Sequence, residues 1–314
     1  MKEINDFNIK CFACRNYTTK LTVEEVIKEY CARPNLRAST RIFRGHFFTR
    51  WLRKYYSMQI LRFSNKEVNE IINDLNSHIV AHSKTPLSQN SKWSSLKEIS
   101  SLFNFAEGRG YIPCNPFAGL KYKYIKKVAR YLSRAEVVTL VSSNFPDDDF
   151  KVAVLLALCA GLRRGEVLGL KWQDVDLHNR TLTVKRSYMW LYGKGYYNPP
   201  KNRCERIVPL NDILYEALNE KVRVDEQVVH ISPSRLTAGF PEYAERIGIH
   251  RYKFHDLRRT FGTIMLQEGV DLKTCSLLLG HKDITVTSDF YVAIIDEMSR
   301  RAVRTIDDII DVKN

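Results

Sequence analysis

Two arginines, a histidine and a tyrosine in the second half of the chain have the residue types and spacing that chemistry on a phosphate requires. His255 and Arg258 are three residues apart at the predicted start of a helix, so both side chains share one face and can reach a single phosphate. Arg163 adds a second guanidinium, and the phenolic oxygen of Tyr291 is a candidate nucleophile. Phosphodiester transfer builds negative charge on the non-bridging oxygens, which fixed arginines can stabilise. The pattern therefore predicts a metal-free site for phosphodiester chemistry that uses no cofactor.

His281 is a further candidate because of its place in the chain. It directly follows Gly280, a predicted C-terminal helix cap, so its imidazole is expected to project from a loop. An isolated histidine is more often a core residue. The sequence Leu-Gly-His, with Tyr291 ten residues later, favours a role in the site instead.

Two other groups of residues invite a metal-binding interpretation, and neither is favoured. Residues 147–149 are three consecutive aspartates, but they precede an apolar helix, where carboxylates cap the chain and complement the helix dipole. No second acidic cluster completes an octahedral site. Cys11 and Cys14 form a C-x-x-C pair without another Cys or His pair nearby, so a zinc site is not expected. The odd number of cysteines, seven, is typical of reduced thiols.

The positive charge of the chain is concentrated in its first part. Residues 1–130 carry 23 Lys and Arg against 10 Asp and Glu, whereas residues 131–314 carry 26 against 25. A basic module beside a nearly neutral one predicts an electrostatic grip on a polyanion, although a merely solvated basic surface is the alternative. The longest apolar run is too short for a bilayer and no signal peptide is recognisable, so we expect a cytoplasmic protein that has no membrane partner.

The candidate phosphate contacts of the basic part lie on a predicted helix and a predicted linker. Phe43, Phe47, Trp51 and Tyr55 recur every four residues and predict a buried aromatic face. Three arginines fall on another side of this helix and are expected to point outwards towards phosphates: Arg37, Arg41 and Arg44. Four lysines of the linker are expected to lie along the same polyanion: Lys121, Lys123, Lys126 and Lys127.

Regular elements outside this helix are predicted from hydrophobic periodicity. Leu96, Ile99, Leu102, Phe103 and Phe105 predict a second helix that ends before the Gly-Arg-Gly sequence at residues 108–110. Alternation over residues 181–186 predicts a strand, and residues 206–210 predict another.

Five short motifs follow one another in a fixed order in the second half. They are Gly161-Leu162-Arg163-Arg164-Gly165-Glu166, Lys201 ahead of a strand that ends at Pro209-Leu210, His255-Asp256-Leu257-Arg258-Arg259-Thr260-Phe261, Leu279-Gly280-His281, and Tyr291. This series resembles the tyrosine recombinases, the family of the lambda-type phage integrases and the Xer recombinases. Residues 102–106 (Leu-Phe-Asn-Phe-Ala) and 112–116 (Ile-Pro-Cys-Asn-Pro) are similar to the helical core-binding domain of that family, so the resemblance covers nearly the whole chain.

The resemblance implies a mechanism without metal or ATP. Tyr291 would attack a DNA phosphate, form a 3′-phosphotyrosyl link and free a 5′-hydroxyl, which then attacks the partner strand's link by way of a Holliday junction. It implies Lys201 as the general acid for the departing 5′-oxygen, His255 as proton acceptor or phosphate orienter, and His281 as donor to a non-bridging oxygen. Glu166 is expected to hold the guanidinium of Arg163 in place.

Two features depart from the family pattern. Xer-like members carry the lysine in a Gly-Lys-Gly turn, and Lys194 lies in such a turn here. We favour Lys201, because its distance to Pro209 matches the integrase pattern of Pro-Lys, basic residues and a strand. Arg259 occupies a position that is often His in the family. The spacing of His255 and Arg258 is unchanged, so we interpret that substitution as tolerated.

The fold implied by the resemblance is mainly α-helical with a small antiparallel β-sheet, arranged as a two-domain C-shaped DNA clamp. We expect a short extension over residues 1–21, a helical core-binding domain over 22–118, a basic linker over 119–131, and a catalytic domain with a C-terminal helix over 132–314. The short extension argues against a full arm-binding domain.

The expected function is site-specific recombination that integrates or excises a mobile element. The alternatives are an Xer-type resolvase, an activity like that of type IB topoisomerases, and an inactive DNA-binding regulator, against which the complete residue set argues. The implied partner is double-stranded DNA at specific sites, with DNA-bending or directionality factors left open.

The expected assembly is a homotetramer on synapsed DNA that forms from free monomers. An apolar stripe predicts a terminal helix: Ile295, Met298, Ala302, Ile306 and Ile309. This helix packs either on its own catalytic domain or, as the resemblance implies, on a neighbouring subunit.

Overall fold

The computed structural model describes residues 17, 19–81, 83–120, 124–125, 130–198 and 205–280. The chain divides into two compact units, Met1–Lys127 and Val128–Asn314, here called the N-terminal and C-terminal units. Several predicted features lie outside the described residues: Cys11, Cys14, the four linker lysines, Lys201, His281, Tyr291 and the terminal helix.

The described part of the N-terminal unit consists of four α-helices and one short antiparallel hairpin. These elements are α1 (Val23–Ala32), α2 (Ala38–Leu52), α3 (Asn65–Ser77), β1 (Ile79–Val80), β2 (Thr85–Pro86) and α4 (Gln89–Gly108). Capping boxes at Thr22 and Ser64 begin α1 and α3, because each hydroxyl accepts from the following turn while a glutamate returns to the cap. The core lies between the helices, where Phe48 and Phe103 are fully buried.

Helix α2 differs in two ways from the sequence prediction. Trp51 and Tyr55 are buried as expected, but Phe43 is 47% exposed and stacks on Phe47, with ring centroids 5.9 Å apart. The predicted buried face is therefore wrong for Phe43, because the core of this unit covers only the C-terminal half of the helix. The outward direction predicted for Arg44 is also wrong.

Arg44 is turned towards its own unit. Its Nε donates to Glu98 Oε1 at 2.5 Å, and its guanidinium lies 4.7 Å from the centre of the Tyr30 ring. Arg41 is exposed, and Arg37, the residue that precedes the first turn of α2, is half-buried. Of the three arginines, Arg41 is thus the one whose exposure fits the prediction best.

Seven helices of the described C-terminal unit surround a core centred on α6. They are α5 (Arg134–Val141), α6 (Asp148–Cys159), α7 (Arg164–Gly169), α8 (Asp212–Glu220), α9 (Phe240–Arg246), α10 (Phe254–Gln267) and α11 (Leu272–Leu279). Eight residues of α6 are buried, so this helix is covered on all sides by the others. A π-helical turn, Arg235–Gly239, leads into α9.

The strands of the C-terminal unit form two small antiparallel sheets. One sheet has the order β3 (Val175–Asp176), β4 (Thr181–Val184), β7 (Arg206–Pro209), with Val184 opposite Arg206. The other is a hairpin of β5 (Ser187–Leu191) and β6 (Lys194–Asn198) that is inserted between β4 and β7. The mainly helical fold with a small antiparallel sheet is confirmed; the inserted hairpin was not predicted.

Of the three consecutive aspartates, Asp147 caps α6 as expected from the sequence, and Asp148 and Asp149 lie in the first turn of the helix. Asp147 accepts a hydrogen bond from the backbone of Phe150 at 2.8 Å, and Asp149 pairs with Lys221 at 2.8 Å. Within the described residues, no group of three His, Cys, Asp or Glu side chains is arranged to hold a metal ion. In the same part of the chain, no helix combines the length and the apolar character needed to cross a membrane.

Gly161 connects the core helix α6 to the segment that begins α7. Its φ of +63° lies in the left-handed region, and a Cβ atom there would approach the Phe261 ring to 2.7 Å. We expect Gly161→Ala to lower the free energy of unfolding by about 1–3 kcal/mol, because both the backbone conformation and the overpacking are unfavourable. Denaturant titration measures this loss.

Gly239→Ala is the matched control in the same unit, since the nearest atom to its added Cβ, in Arg235, lies at an ordinary 3.7 Å. Equal stability of the two variants would contradict the importance of the turn at Gly161.

Candidate active site

Arg163 is held at the start of α7 by the carboxylate three residues later. Glu166 accepts from the backbone N–H of Arg163 at 2.9 Å and from its Nη1 at 2.7 Å. The other terminal nitrogen, Nη2, donates to the carbonyl of Gly280 at 3.2 Å. The contact predicted between Glu166 and Arg163 is therefore present, and the end of α11 holds the same guanidinium.

Arg258 approaches this group from α10. Its Nη1 donates to the carbonyl of Gly161 at 2.5 Å, its Nη2 donates to the carbonyl of Leu279, and its side chain is 4% exposed. Nη1 also lies 3.8 Å from Glu166 Oε2. Two backbone carbonyls and a carboxylate thus fix the guanidinium next to the turn that ends α11.

Arg206 is the residue of this cluster that the sequence analysis did not single out. Its Nη2 and Nη1 donate to the two oxygens of Glu166 at 2.7 and 3.2 Å, and its Nε donates to the carbonyl of Leu278 at 2.8 Å. The available signal was strand alternation, because Arg206 shares a face with the buried Val208 two residues later. A cation on the inward face of a strand requires a buried acid as its partner.

Glu166 carries the negative charge at the centre of these arginines. Burial alone would raise its pKa, but the hydrogen bonds and charge of Arg206, together with the charges of Arg163 and Arg258, lower the pKa of Glu166 to about 2. The carboxylate is therefore ionised at neutral pH. One negative charge faces three positive charges, which leaves a net positive field for an anionic ligand.

His255 begins α10 at the protein surface, one turn before Arg258. Although the residue is exposed, desolvation of its ring by the surrounding protein and the charges of Arg258, Arg259 and Arg163 lower the pKa of His255 to about 4. Asp256 opposes this shift, but it is occupied by an ion pair with Arg259 at 2.8 Å. His255 is consequently neutral at pH 7 and can accept a proton.

A cavity of about 710 Å³ opens beside these residues. Five of its lining side chains contain basic nitrogen: Arg163, Arg164, Arg251, Lys253 and His255. The described lining contains no carboxylate, so the cavity favours an anion such as a backbone phosphate.

Lys194 lies at the far end of the inserted hairpin. It pairs with Leu191 next to the turn, whereas Ser187, at the base, packs against Gly165 of α7. Four residue steps along β5 separate the base from the turn, or about 13 Å. The backbone of Lys194 is therefore about 13 Å along the strand from the end of the hairpin that packs against α7.

Comparison with known proteins identifies the family of the chain. Residues 131–298 match the model of the phage integrase family, which is more than half of the chain. The chain belongs to this family of tyrosine recombinases, enzymes that break and rejoin DNA. The matched range includes the predicted positions Lys201, His281 and Tyr291.

The curated relatives include proteins named XerC and a protein named integrase, the two groups of recombinases that the motifs resemble. The chain is 28% identical to a tyrosine recombinase XerC-like protein of Caldanaerobacter subterraneus over 67% of this chain, and it spans 64% of the length of that relative. It is 30% identical to tyrosine recombinase XerC of Natranaerobius thermophilus over 61% of this chain and 68% of the relative. It is 23% identical to the ICEBs1 integrase of Bacillus subtilis over 76% and 70% of the two chains.

Two solved structures share the fold. The integrase of the Tn1549 transposon, in complex with transposon right end DNA, has a TM-score of 0.69 and 19% identity, over 90% of this chain and 100% of that one. A lambda integrase dimer bound to a core site has a TM-score of 0.61 and 19% identity, over 86% and 95% of the two chains.

The electrostatic environment of His255 leads to a pH prediction. We expect its imidazole to titrate near pH 4 in the free protein, because the pKa of His255 lies well below the ordinary value of 6.5. The folded state then binds fewer protons than the unfolded state between about pH 4 and 6.5, so the stability contributed by neutral His255 is lost as the pH falls through that window.

Heteronuclear NMR measures the titration, with His255→Asn identifying the signal. A midpoint near 6.5 while the protein remains folded would disprove this assignment of the neutral form.

Proposed function

We propose that the chain is a site-specific DNA recombinase that exchanges strands through a 3′-phosphotyrosyl intermediate. One observation carries the proposal: Arg163 and Arg258 are fixed by a shared carboxylate and by backbone carbonyls beside the neutral, exposed His255. Such an arrangement is preorganised for the charge that develops on a phosphodiester during transfer. The family match extends over Tyr291, the nucleophile of the proposed reaction.

The proposed cleavage step is a balanced transesterification. The phenolic oxygen of Tyr291 forms a bond to phosphorus while its proton passes to His255, and the bond from phosphorus to the 5′-oxygen breaks. Lys201 supplies a proton to that leaving oxygen, which departs as a hydroxyl. Arg163, Arg258 and His281 stabilise the non-bridging oxygens in the transition state.

Rejoining reverses these roles. A 5′-hydroxyl from the partner strand attacks phosphorus, the link to tyrosine breaks, and the phenolic oxygen regains its proton. The energy of the phosphodiester is conserved in the covalent intermediate, so the exchange of strands needs no ATP.

Lys201 is the general acid of the proposal, and chain topology supports this choice. It lies five residues before Arg206, which contacts Glu166 directly. Lys194, in contrast, lies at the turn of the hairpin whose base packs next to Arg163. Lys201 is therefore fewer residues away from Arg206, a member of the arginine cluster, than Lys194 is.

Double-stranded DNA is the proposed partner, recognised by two domains. Residues 22–118 would form the core-binding domain and residues 132–314 the catalytic domain, joined by the basic linker. Arg41 on α2 and Lys253 beside the cavity are exposed cations suited to phosphate contacts. A homotetramer on synapsed DNA is the proposed assembly.

The biological role that we propose is integration or excision of a mobile element. The likeness to the ICEBs1 integrase and to the fold of a transposon integrase supports it. The higher identity to proteins named XerC supports the second candidate, resolution of chromosome or plasmid multimers. Recombination of plasmids that carry the DNA flanking this gene, compared with plasmids that carry a multimer-resolution site, distinguishes the two roles.

Removing the phenolic oxygen tests the nucleophile. We expect Tyr291→Phe to bind DNA normally but to form no covalent adduct on a nicked duplex that traps cleavage. Wild-type protein should form the adduct in excess EDTA, since arginines supply the positive charge. Denaturing electrophoresis of end-labelled DNA measures the adduct. An adduct with Tyr291→Phe would move the nucleophile elsewhere, and strict dependence on magnesium would refute the metal-free mechanism.

A sulfur substitution tests the general acid. We expect Lys201→Ala to slow cleavage by about 100-fold or more, because the 5′-oxygen then leaves without a proton. A substrate with sulfur at the 5′-bridging position should restore most of the rate, since a thiolate needs no proton to leave. Lys194→Ala serves as the matched control and should cleave the ordinary substrate normally. Rescue of Lys194→Ala instead would reassign the general acid.

A further inference from the structure

We propose that Arg206 is a positioning residue for strand cleavage, which neutralises the buried carboxylate of Glu166 so that Arg163 and Arg258 remain directed at the DNA phosphate. The proposal rests on the recombinase function proposed above. It assigns a role in the reaction to a residue on the strand that follows Lys201, to which the motifs gave no role.

The contacts of Arg206 are those of a bidentate charge pair in a buried site. Its two terminal nitrogens bind separate oxygens of Glu166 at 2.7 and 3.2 Å, and the two side chains are 8% and 1% exposed. Planar pairing of this kind is stronger and more directional than a single hydrogen bond. Among the three arginine neighbours of Glu166, Arg206 lowers the pKa of that carboxyl the most, because it adds hydrogen bonds to both oxygens to the effect of its charge.

Arg163 and Arg258 compete with Arg206 for the Glu166 carboxylate. Arg163 Nη1 binds the same Oε1 that Arg206 Nη1 binds, and Arg258 Nη1 lies 3.8 Å from the oxygen that Arg206 Nη2 binds. Without Arg206, the buried charge of Glu166 would be compensated by Arg163 and Arg258 alone. Arg163, which already donates to this carboxylate, would then be bound to it more tightly, and Arg258, at 3.8 Å, would be drawn closer to it, so both would be less available to a phosphate.

A second set of contacts connects Arg206 to the end of α11. Its Nε donates to the carbonyl of Leu278 at 2.8 Å. Gly280 has a left-handed φ of +63°, and a Cβ atom there would lie 2.9 Å from Arg206 Nη1, so the guanidinium packs directly against this turn. The carbonyl of Gly280 in turn accepts from Arg163. Arg206 therefore supports the backbone that holds Arg163 and that leads directly into His281.

The test compares single-turnover cleavage by full-length variants. The substrate is a nicked duplex whose sequence is selected from random DNA by binding to the wild-type chain. We expect Arg206→Gln to reduce the rate of adduct formation by about 100-fold, the effect of small misplacements in an active site, while the Kd for DNA changes less than about 3-fold. Arg206→Lys should lose about 10-fold, because lysine keeps the charge but cannot make all three contacts.

The double variant Arg206→Gln, Glu166→Gln distinguishes positioning from simple structural support. If Arg206 acts mainly by neutralising Glu166, most of the effect of its loss disappears once the carboxylate is removed, so the double variant cleaves much faster than the product of the two single losses predicts. Multiplicative losses in the double variant would overturn the proposal. If Arg206 only stabilised the fold, the effects of the two substitutions would be independent and their losses would multiply in the double variant.

Arg180→Ala is the matched control in the turn between β3 and β4. Arg180 pairs with Asp212 at 2.6 Å, and its side chain is 46% exposed, so its loss should leave both cleavage and binding unchanged. Normal cleavage by Arg206→Gln or Arg206→Lys would refute the inference. If Arg206→Gln does not fold, as judged by circular dichroism, Arg206→Lys with and without Glu166→Gln makes the same comparison.

The wild-type protein and Tyr291→Phe separate this inference from the proposed function. Absence of an adduct with wild-type protein would refute the recombinase function itself. An adduct that forms with wild-type protein and equally fast with Arg206→Gln would refute only the role of Arg206.

Discussion

The contacts between the buried carboxylate of Glu166 and three arginines are the interaction on which the arrangement of the site depends. Removing a carboxylate from water is costly, and burial is tolerated here because three guanidinium groups compensate the charge. Those groups come from α10, β7 and the residue that precedes α7, and all three also donate to carbonyls at the end of α11. The elements therefore assemble around one charge, and the folded chain holds three cations close together around it.

This arrangement divides the basic residues into two kinds. The arginines are cations that several contacts each hold in place. His255 lies next to them, and the charges of its arginine neighbours help to lower the pKa of its ring. In the reaction proposed above, proton transfer falls to His255 and charge stabilisation to the arginines.

The sequence predicted those parts of the fold and site that depend on local spacing. The motifs indicated a contact between Arg163 and Glu166, which the structure contains, and the cap at Asp147 followed from its position before an apolar helix. Arg206 was missed because its partner Glu166 is forty residues away in the sequence and lies on a different element.

Other errors have equally physical causes. The periodicity of α2 marks an apolar face but not how far the core extends along it, so Phe43 was assigned to the interior. The hairpin of β5 and β6 was missed although Tyr192-Gly193 at its turn is flanked by aromatic residues that favour strands. Lys201, His281 and Tyr291 lie outside the described residues, so their roles remain proposals.

The pairing of Val184 with Arg206 has a consequence for how this enzyme can diversify. The chain leaves the sheet after β4 and returns to the same place at β7, so the intervening residues 185–205 begin and end at neighbouring points. Lengthening or shortening such an excursion adds little entropic cost and leaves the closing strand pair intact. The turn of the hairpin can therefore change in length while its base stays packed against α7 and Arg206 stays paired in the sheet.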